Sequence, residues 1–384
     1  MTGFLNESVP FLDLKSMSAE IADDVLPAWR QMFLEGQFVG GPPVEIFEAE
    51  WAEYCGTEHA IGVANGTDAL LLTLRALGIG PGDEVVCPTN TFVATAEAIV
   101  LAGAVPRFAD VSPDTLLLTP ATLRAAVTPQ TRAVLVVHLY GQMPDMDGIA
   151  AVAAEAGLLI VEDAAQAHGA TWRGRRAGSF GAAGCFSFYP GKNLGAAGDA
   201  GAVVTDDAEL AERLRVLRNH GRSGGSHHSH TMVGTNSRLD TLQAVVLSAK
   251  LRRLEGWNVL RRALMDQYRE GLAGTAVRFV EVAPDATSVH HLAVVRVPQR
   301  AQVQQELGRL GIATGIHYPV PCHQCPAFIE YAREPLPVAE AAADEILSLP
   351  LSPHMSLDQV SRVCTALREV LEGLQPMAEV RHVV

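Results

Sequence analysis

Short apolar segments alternate with amphipathic ones between residues 60 and 205, and this alternation restricts the fold more than any other feature of the chain. Strands are predicted at 59–64, 84–87, 107–111, 133–139, 158–162, 185–188 and 201–205. Helical patterns lie between several of these strands, at 68–77, 92–102 and 146–156. Strands that are apolar throughout and separated by helices predict a mostly parallel sheet covered on both faces.

The rest of the chain predicts a second, smaller domain. The chain has 384 residues, more than the roughly 250–300 at which a single hydrophobic core stops growing. An amphipathic stretch runs from 239 to about 272, and Gly256 is predicted to break or bend it. We therefore expect a large domain at 1–255, with an N-terminal segment at 1–35, and a smaller C-terminal α+β domain at 256–384.

Composition and charge exclude several classes of protein. With 48% hydrophobic and 19% charged residues, the chain is not expected to be disordered. Its 29 basic and 43 acidic residues give a net charge of −14, which disfavours nucleic acid and anionic membranes as partners. No run of 18 uncharged apolar residues predicts a membrane span. The first residues lack a signal-peptide pattern, so we expect a cytoplasmic protein with six free thiols.

Two clusters could suggest a metal site, and we expect neither to be one. Cys322 and Cys325 form a single C-x-x-C, with His317 and His323 nearby. A zinc site normally needs a second such pair or a spaced histidine pair. The histidine-rich loop at 227–230 lies among Gly and Ser, which is typical of a solvated loop.

The sequence Asn65-Gly66-Thr67-Asp68 follows one predicted strand and opens a helix. Glycine at this point lets backbone N–H groups approach an anion, and a helix N-terminus favours negative charge. Thr67 can add a hydroxyl donor. The motif therefore indicates a phosphate site, with an ordinary capped turn as the alternative.

Acid and lysine side chains follow two other strands. Glu162 and Asp163 end an apolar strand, at the sheet edge where α/β enzymes bind their ligands. A carboxylate there can hold a cationic ring nitrogen; the alternative is a helix cap with surface charge, to which we assign Glu162. Lys192 lies just past an apolar strand that carries Ser187, 29 residues after Asp163. A desolvated lysine can form a Schiff base, so acid, lysine and phosphate cup together predict a pyridoxal phosphate site.

Several segments together resemble the DegT/StrS-type sugar aminotransferases, which are pyridoxal-phosphate enzymes of fold type I. The matching segments are NGTDAL, GDEVVCPTNTFVAT, EDAAQAHGA, FSFYPGKNLGAAGDAGAVVT, NSRLDTLQA and GIHYPVPCH. They occur in the family's order from about residue 60 to 325. The resemblance implies an α/β fold, with a mostly parallel mixed sheet between helices in the large domain and a smaller C-terminal α+β domain.

The resemblance also implies roles at the cofactor. Lys192 would form the Schiff base and then shuttle the proton, and Asp163 would pair with the pyridine nitrogen. Gln166 would contact the side of the ring that carries the hydroxyl. Phe92 would stack on the ring, with plain core packing as the alternative.

Further roles concern the phosphate and the sugar. The residues implied for the phosphate are Gly66, Thr67, Ser187 and, from the neighbouring subunit, Asn236. A shared site of this kind implies a homodimer. The residues implied for the substrate are Tyr189, His317, Tyr318 and Arg222. For Tyr318 a structural turn before proline is the alternative, and for Arg222 the alternative is a merely exposed side chain.

The reaction implied is a ping-pong transamination with L-glutamate as donor, through pyridoxamine phosphate. The segments HLYGQMPDMDGI and GIHYPVPCHQCPAF resemble the subgroup that acts at carbon 3 of dTDP-3-keto-6-deoxyhexoses, which would give a dTDP-3-amino sugar. Met143 and Cys325 depart from that subgroup's pattern, and an aminotransferase of 4-keto-sugar nucleotides is the alternative. Sugar dehydratases in this family carry histidine at the lysine position, so Lys192 argues against that activity. A regulatory relative would not need an intact acid–lysine–phosphate set.

Overall fold

The computed structural model describes residues 8–223 and 228–374, so His227 of the histidine-rich loop lies outside it. The helices are α1 Leu14–Glu35, α2 Pro42–Cys55, α3 Gly66–Ala76, α4 Val93–Leu101, α5 Pro120–Ala126, α6 Met146–Ala156, α7 Ala208–Leu217, α8 Thr241–Gly271, α9 Arg300–Arg309, α10 Pro337–Glu345 and α11 Leu357–Leu374. The strands are β1 His59–Val63, β2 Glu84–Pro88, β3 Val105–Ala109, β4 Thr131–Val137, β5 Leu159–Asp163, β6 Thr171–Trp172, β7 Arg175–Arg176, β8 Ala183–Ser187, β9 Gly201–Thr205, β10 Arg278–Phe279, β11 Ala286–Thr287, β12 Ala293–Arg296 and β13 Ile346–Leu349.

A seven-stranded mixed sheet forms the centre of the molecule, in the order β1-β9-β8-β5-β4-β2-β3. The five strands from β8 to β3 run parallel, and β9 is antiparallel to both of its neighbours. Apolar side chains from the two faces enter two separate cores. The mostly parallel sheet covered on both faces is thus confirmed.

Two of the differences from the sequence prediction have a clear physical reason. Strand β3 begins at Val105, two residues before the predicted start, and contains Pro106. As the edge strand it needs fewer ladder bonds, so proline is tolerated. Helix α8 continues through Gly256 without interruption. A glycine inside a helix costs only about 1 kcal/mol, and buried residues on both sides of it hold α8 in place.

Helix α8 connects two hydrophobic cores. Leu247 and Leu254 belong to a core of the central sheet, whereas Leu264 and Tyr268 belong to a core that covers β12 and β13. A three-stranded antiparallel sheet, β10-β12-β13, supports this second core. None of the helices in the part of the chain that the structure describes could cross a membrane.

The carboxyl ends of the parallel strands meet at one edge of the central sheet. Val137, at the end of β4, pairs with Asp163 at the end of β5, which in turn pairs with Cys185 of β8. The residues that follow these strands therefore lie side by side, and α3 begins close to them. This edge carries the candidate site.

Candidate active site

A cavity of about 570 Å³ opens at this edge of the sheet. Ten of the twelve residues that the sequence predicts for the site line it: Gly66, Thr67, Phe92, Asp163, Gln166, Ser187, Tyr189, Lys192, His317 and Tyr318. Segments far apart in the chain therefore meet around one space large enough for a cofactor and part of a substrate.

Asp163 is buried and lines the cavity. Thr95 Oγ1 donates to its Oδ2 at 2.7 Å, and the backbone N–H of Ala165 donates to Oδ1 at 3.3 Å. Burial raises the pKa of Asp163, while these two donors and the charge of Lys192 oppose the rise. The carboxylate is thus held in one orientation but still lacks a full set of hydrogen-bond partners. Such a carboxylate can bind a cationic ring nitrogen.

Lys192 lies on the loop after β8 and reaches the same cavity. Burial lowers the pKa of its ammonium to about 8, and the carboxylate of Asp163 opposes that shift. A lysine with such a pKa is neutral in a usable fraction of molecules near neutral pH, so it can act as nucleophile and base.

A phosphate-sized cup lies where α3 begins. Asn65 caps the helix by accepting from the N–H of Asp68 at 2.8 Å, and this leaves the N–H groups of Gly66 and Thr67 free of partners among the described residues. A side chain at Gly66 would place its Cβ 2.6 Å from the Cβ of Ser187. Glycine is therefore required for the helix N-terminus and the serine hydroxyl to meet, and the cup fits the phosphate of pyridoxal phosphate.

The amide of Gln166 is oriented by its neighbours. The N–H of Tyr140 donates to Oε1 at 2.7 Å, so this atom is the oxygen, and Nε2 donates to the hydroxyl of Tyr318 at 3.1 Å. The second N–H of that amide remains for an oxygen on a cofactor ring. Phe92 is 51% exposed and its ring lies 5.5 Å from that of Tyr318, so Phe92 borders the cavity and is not core packing.

Two predicted residues lie away from the cavity. Asn236 is exposed and its backbone pairs with Asn219, and Arg222 pairs with His230. Neither residue lines the site of its own chain.

The prediction for Glu162 is wrong, because this residue is fully buried and does not carry a surface charge. Its carboxylate accepts from the N–H groups of Gly178, Phe180 and Gly181 at 2.6–3.0 Å. It also bonds to Nε2 of His138 at 2.8 Å. Neighbouring residues of a strand point to opposite faces, so Glu162 anchors the 178–181 loop while Asp163 faces the cavity.

A sequence model of the DegT/DnrJ/EryC1/StrS aminotransferase family matches residues 19–368. The chain belongs to this family. A dTDP-3-amino-3,4,6-trideoxy-alpha-D-glucose transaminase from Streptomyces venezuelae is 49% identical to this chain. The match covers 95% of this chain and 96% of the relative's chain.

Two solved structures of aminotransferase relatives agree with this fold. DesV from S. venezuelae, at 48% identity, has a TM-score of 0.92 and covers 96% of this chain and 99% of its own. NtdA from Bacillus subtilis, solved with bound cofactor PMP, has 33% identity and a TM-score of 0.89, over 96% of this chain and 87% of its own. The fold type I architecture is confirmed, and the chain is an aminotransferase.

Sequence reasoning missed several polar residues of this aminotransferase site, among them Thr95 and His291. Thr95 holds Asp163, and its one signal was a hydroxyl one helical turn after Phe92. His291 lines the cavity from a segment almost 100 residues beyond Lys192. No local pattern marks His291, because only the packing of distant segments brings it to the site.

Proposed function

We propose that the protein transfers an amino group from L-glutamate to the keto carbon of a dTDP-3-keto-6-deoxyhexose, with pyridoxal phosphate as cofactor. The product is a dTDP-3-amino sugar. The observation that supports this most is the meeting of Asp163, Lys192 and the α3 N-terminus around one cavity. Bound pyridoxal phosphate supplies an electron sink for the carbanion that transamination requires.

Six residues that line the cavity would hold the cofactor besides Lys192. Gly66 and Thr67 would bind its phosphate through backbone N–H groups and Ser187 through its hydroxyl. Asp163, held by its own donors, would accept a hydrogen bond from the protonated ring nitrogen and keep that nitrogen charged. Gln166 would donate its remaining N–H to the ring oxygen. Phe92 would also cover one face of the ring, since its own ring is exposed in the cavity.

Lys192 would bind the cofactor covalently and, once released, move the proton. Its Nζ, with a pKa of about 8, can accept a proton from the carbon that bears the amino group and return it. The same atom serves the glutamate half of the reaction and the sugar half, because the second half is the first in reverse.

The keto sugar would lie against Tyr189, His317 and Tyr318. These residues line the cavity, and their polar ends can bond sugar hydroxyls. The S. venezuelae relative is named for a dTDP sugar aminated at carbon 3, which favours this substrate over a 4-keto sugar. Arg222 would contact the diphosphate.

The protein would form a homodimer whose subunits share their active sites. Asn236 of one subunit would reach the cofactor phosphate in the site of the other subunit. Exposed apolar residues support this assembly, among them Phe33, Leu34 and Val39. The proposal also includes a cytoplasmic location, in keeping with six cysteines that are all free thiols.

The proposed domain boundary lies near residue 255. It falls inside α8, between the part of the helix that packs on the central sheet and the part that packs on β12 and β13. The large domain would therefore be 1–255 and the small one 256–384.

The test is a screen of glutamate-dependent amination over 3-keto and 4-keto sugar nucleotides, with both dTDP and UDP carriers. Formation of 2-oxoglutarate measures the rate, and NMR of the product gives the aminated carbon. We expect amination at carbon 3 of the dTDP sugar. Faster amination at carbon 4 would replace the proposal by its alternative, and no amination of any keto sugar would reject it.

A further inference from the structure

His291 is fixed in place by bonds to its backbone. Its N–H donates to the carbonyl of Tyr140 at 2.9 Å, and its carbonyl accepts from the buried guanidinium of Arg261 at 3.4 Å. A Cβ at Gly141 would lie 2.8 Å from the nitrogen of His291, so only glycine permits this approach. The imidazole therefore projects from a rigid part of the cavity wall.

The hydrogen-bond network determines which ring nitrogen of His291 carries the proton. The side-chain amide of Asn193 bonds to the carbonyl of Val289 at 3.0 Å, and since a carbonyl only accepts, the atom there is Nδ2. The same Nδ2 donates to Oδ1 of Asn258 at 3.0 Å, whose own Nδ2 donates to the carbonyl of His168. The remaining atom, Oδ1 of Asn193, lies 3.1 Å from Nδ1 of His291. Nδ1 must therefore carry the proton, and Nε2 is an acceptor.

The imidazole of His291 is neutral. Burial, and then the positive charges of Lys192 and Arg261, lower its pKa well below the usual range of histidine. Nε2 makes no hydrogen bond to any described residue and is not sealed from solvent. Because His291 borders the cavity, this lone pair opens toward a bound substrate.

We propose that His291 is a substrate-binding residue whose Nε2 accepts a hydrogen bond from a hydroxyl of the sugar. This assignment rests on the proposed function and adds a sugar contact to it. A fixed lone pair attracts an O–H donor and repels a carboxylate, so the partner belongs to the sugar and not to the acid groups of glutamate. The residue would favour sugars that place a hydroxyl at this point, since a missing donor leaves Nε2 unpaired.

Two substitutions separate this role from a structural one. In His291→Asn the amide nitrogen takes the place of Nδ1 and keeps the bond to Asn193, but the acceptor at Nε2 is lost. In His291→Gln the amide oxygen reaches the place of Nε2, but the bond to Asn193 is lost. Calorimetry of the holoenzyme with dTDP-glucose and with dTDP measures the sugar contact by difference.

We expect His291→Asn to weaken binding of dTDP-glucose about tenfold, the size of one good hydrogen bond, and to leave dTDP binding unchanged. His291→Gln should stay within about threefold of the wild type for dTDP-glucose, because its oxygen restores the acceptor. The matched control is His290→Asn, next in the chain but outside the cavity lining, which should bind both ligands as the wild type does.

Other results would overturn the assignment. If Asn is tolerated and Gln weakens binding, His291 serves only the bond to Asn193. If His291→Asn slows the glutamate half-reaction, followed by the cofactor's absorbance, and leaves dTDP-glucose binding intact, its partner is the amino donor. A wild type that binds neither dTDP nor dTDP-glucose would reject the proposed function and this contact with it, whereas equal binding by wild type and His291→Asn would reject the contact alone.

Discussion

At the residue scale, the reactivity of Lys192 follows from its surroundings. Because burial lowers its pKa to about 8, capture of pyridoxal phosphate by the apoprotein should slow about tenfold for each pH unit below 8. Absorbance at fixed cofactor concentration measures this rate, and a capture rate that does not change between pH 6 and 8 would contradict this account.

A substitution tests the same lysine. Lys192→Ala should fold, turn over no substrate and retain no label after borohydride reduction. Lys15→Met is the matched control, since it removes an exposed lysine that does not line the cavity and should still be labelled.

Asp163 carries a second prediction at this scale. In Asp163→Asn a neutral amide replaces the carboxylate, and an amide cannot hold the ring nitrogen in its protonated form. The loss should be several kcal/mol of transition-state stabilisation, measured as kcat/KM, while circular dichroism shows the fold retained. A loss below about tenfold, roughly 1.4 kcal/mol, would show that Asp163 is not the partner of the ring.

Residue chemistry at strand ends could be predicted from the sequence, and residue orientation could not. Lys192 and Asp163 were recognisable because acid and lysine follow apolar strands, and the structure brings both to one cavity. Glu162 and Asp163 look alike in the sequence, but only the folded 178–181 loop shows why Glu162 is buried. The tautomer of His291 depends on Asn193, nearly 100 residues away in the sequence, so no local pattern could reveal it.

At the scale of elements, strands were predictable wherever the apolar segments were continuous. The contacts that α8 makes with the loop after Lys192 were not predictable, because the polar residues of this helix look like ordinary surface positions in the sequence. Its Gln243 accepts from the N–H of Ala197 at 2.8 Å, Lys250 donates to the carbonyl of Gly195 at 2.7 Å, and Asn258 binds Asn193. The three lie seven and eight residues apart, on one face of the helix. This face of α8 holds the loop that follows Lys192.

Lys250, on α8, makes the free energy of unfolding depend measurably on pH. Burial lowers its pKa to about 8, whereas in an unfolded chain lysine titrates near 10.4. Between these values the unfolded chain binds the proton and the folded chain does not, so this lysine makes the free energy of unfolding rise with pH. In Lys250→Met the slope between pH 8 and 10 should decrease by up to about 1.4 kcal/mol per pH unit.

Urea denaturation of the apoprotein at several pH values in this window measures the slope. Lys15→Met, at an exposed position of α1, is the matched control and should have the slope of the wild type. Equal slopes for wild type and Lys250→Met would show that the ammonium of Lys250 is not desolvated in the folded protein.

At the scale of the whole molecule, two features point beyond a single chain. Phe33 and Leu34 on α1 are 73% and 75% exposed, and the ring of Phe33 lies 6.0 Å from that of the exposed Phe38. A monomer rarely leaves such a group of apolar side chains in water. Asn236, which the family resemblance assigns to a phosphate, is exposed and away from the cavity of its own chain. Both features are expected of a symmetric dimer with shared sites.

Complementation between two inactive variants tests this assembly. Lys192→Ala removes the lysine, and Asn236→Asp sets a carboxylate against the phosphate, so each homodimer should be inactive. In the mixed dimer one site carries both defects and the other site is intact, because Lys192 and Asn236 of one site come from different chains. Mixed dimers purified with two affinity tags should therefore recover up to about half of the wild-type activity per dimer. Mixed dimers as inactive as their parents would show that Asn236 does not serve the neighbouring site, and the shared-site assembly would then be rejected.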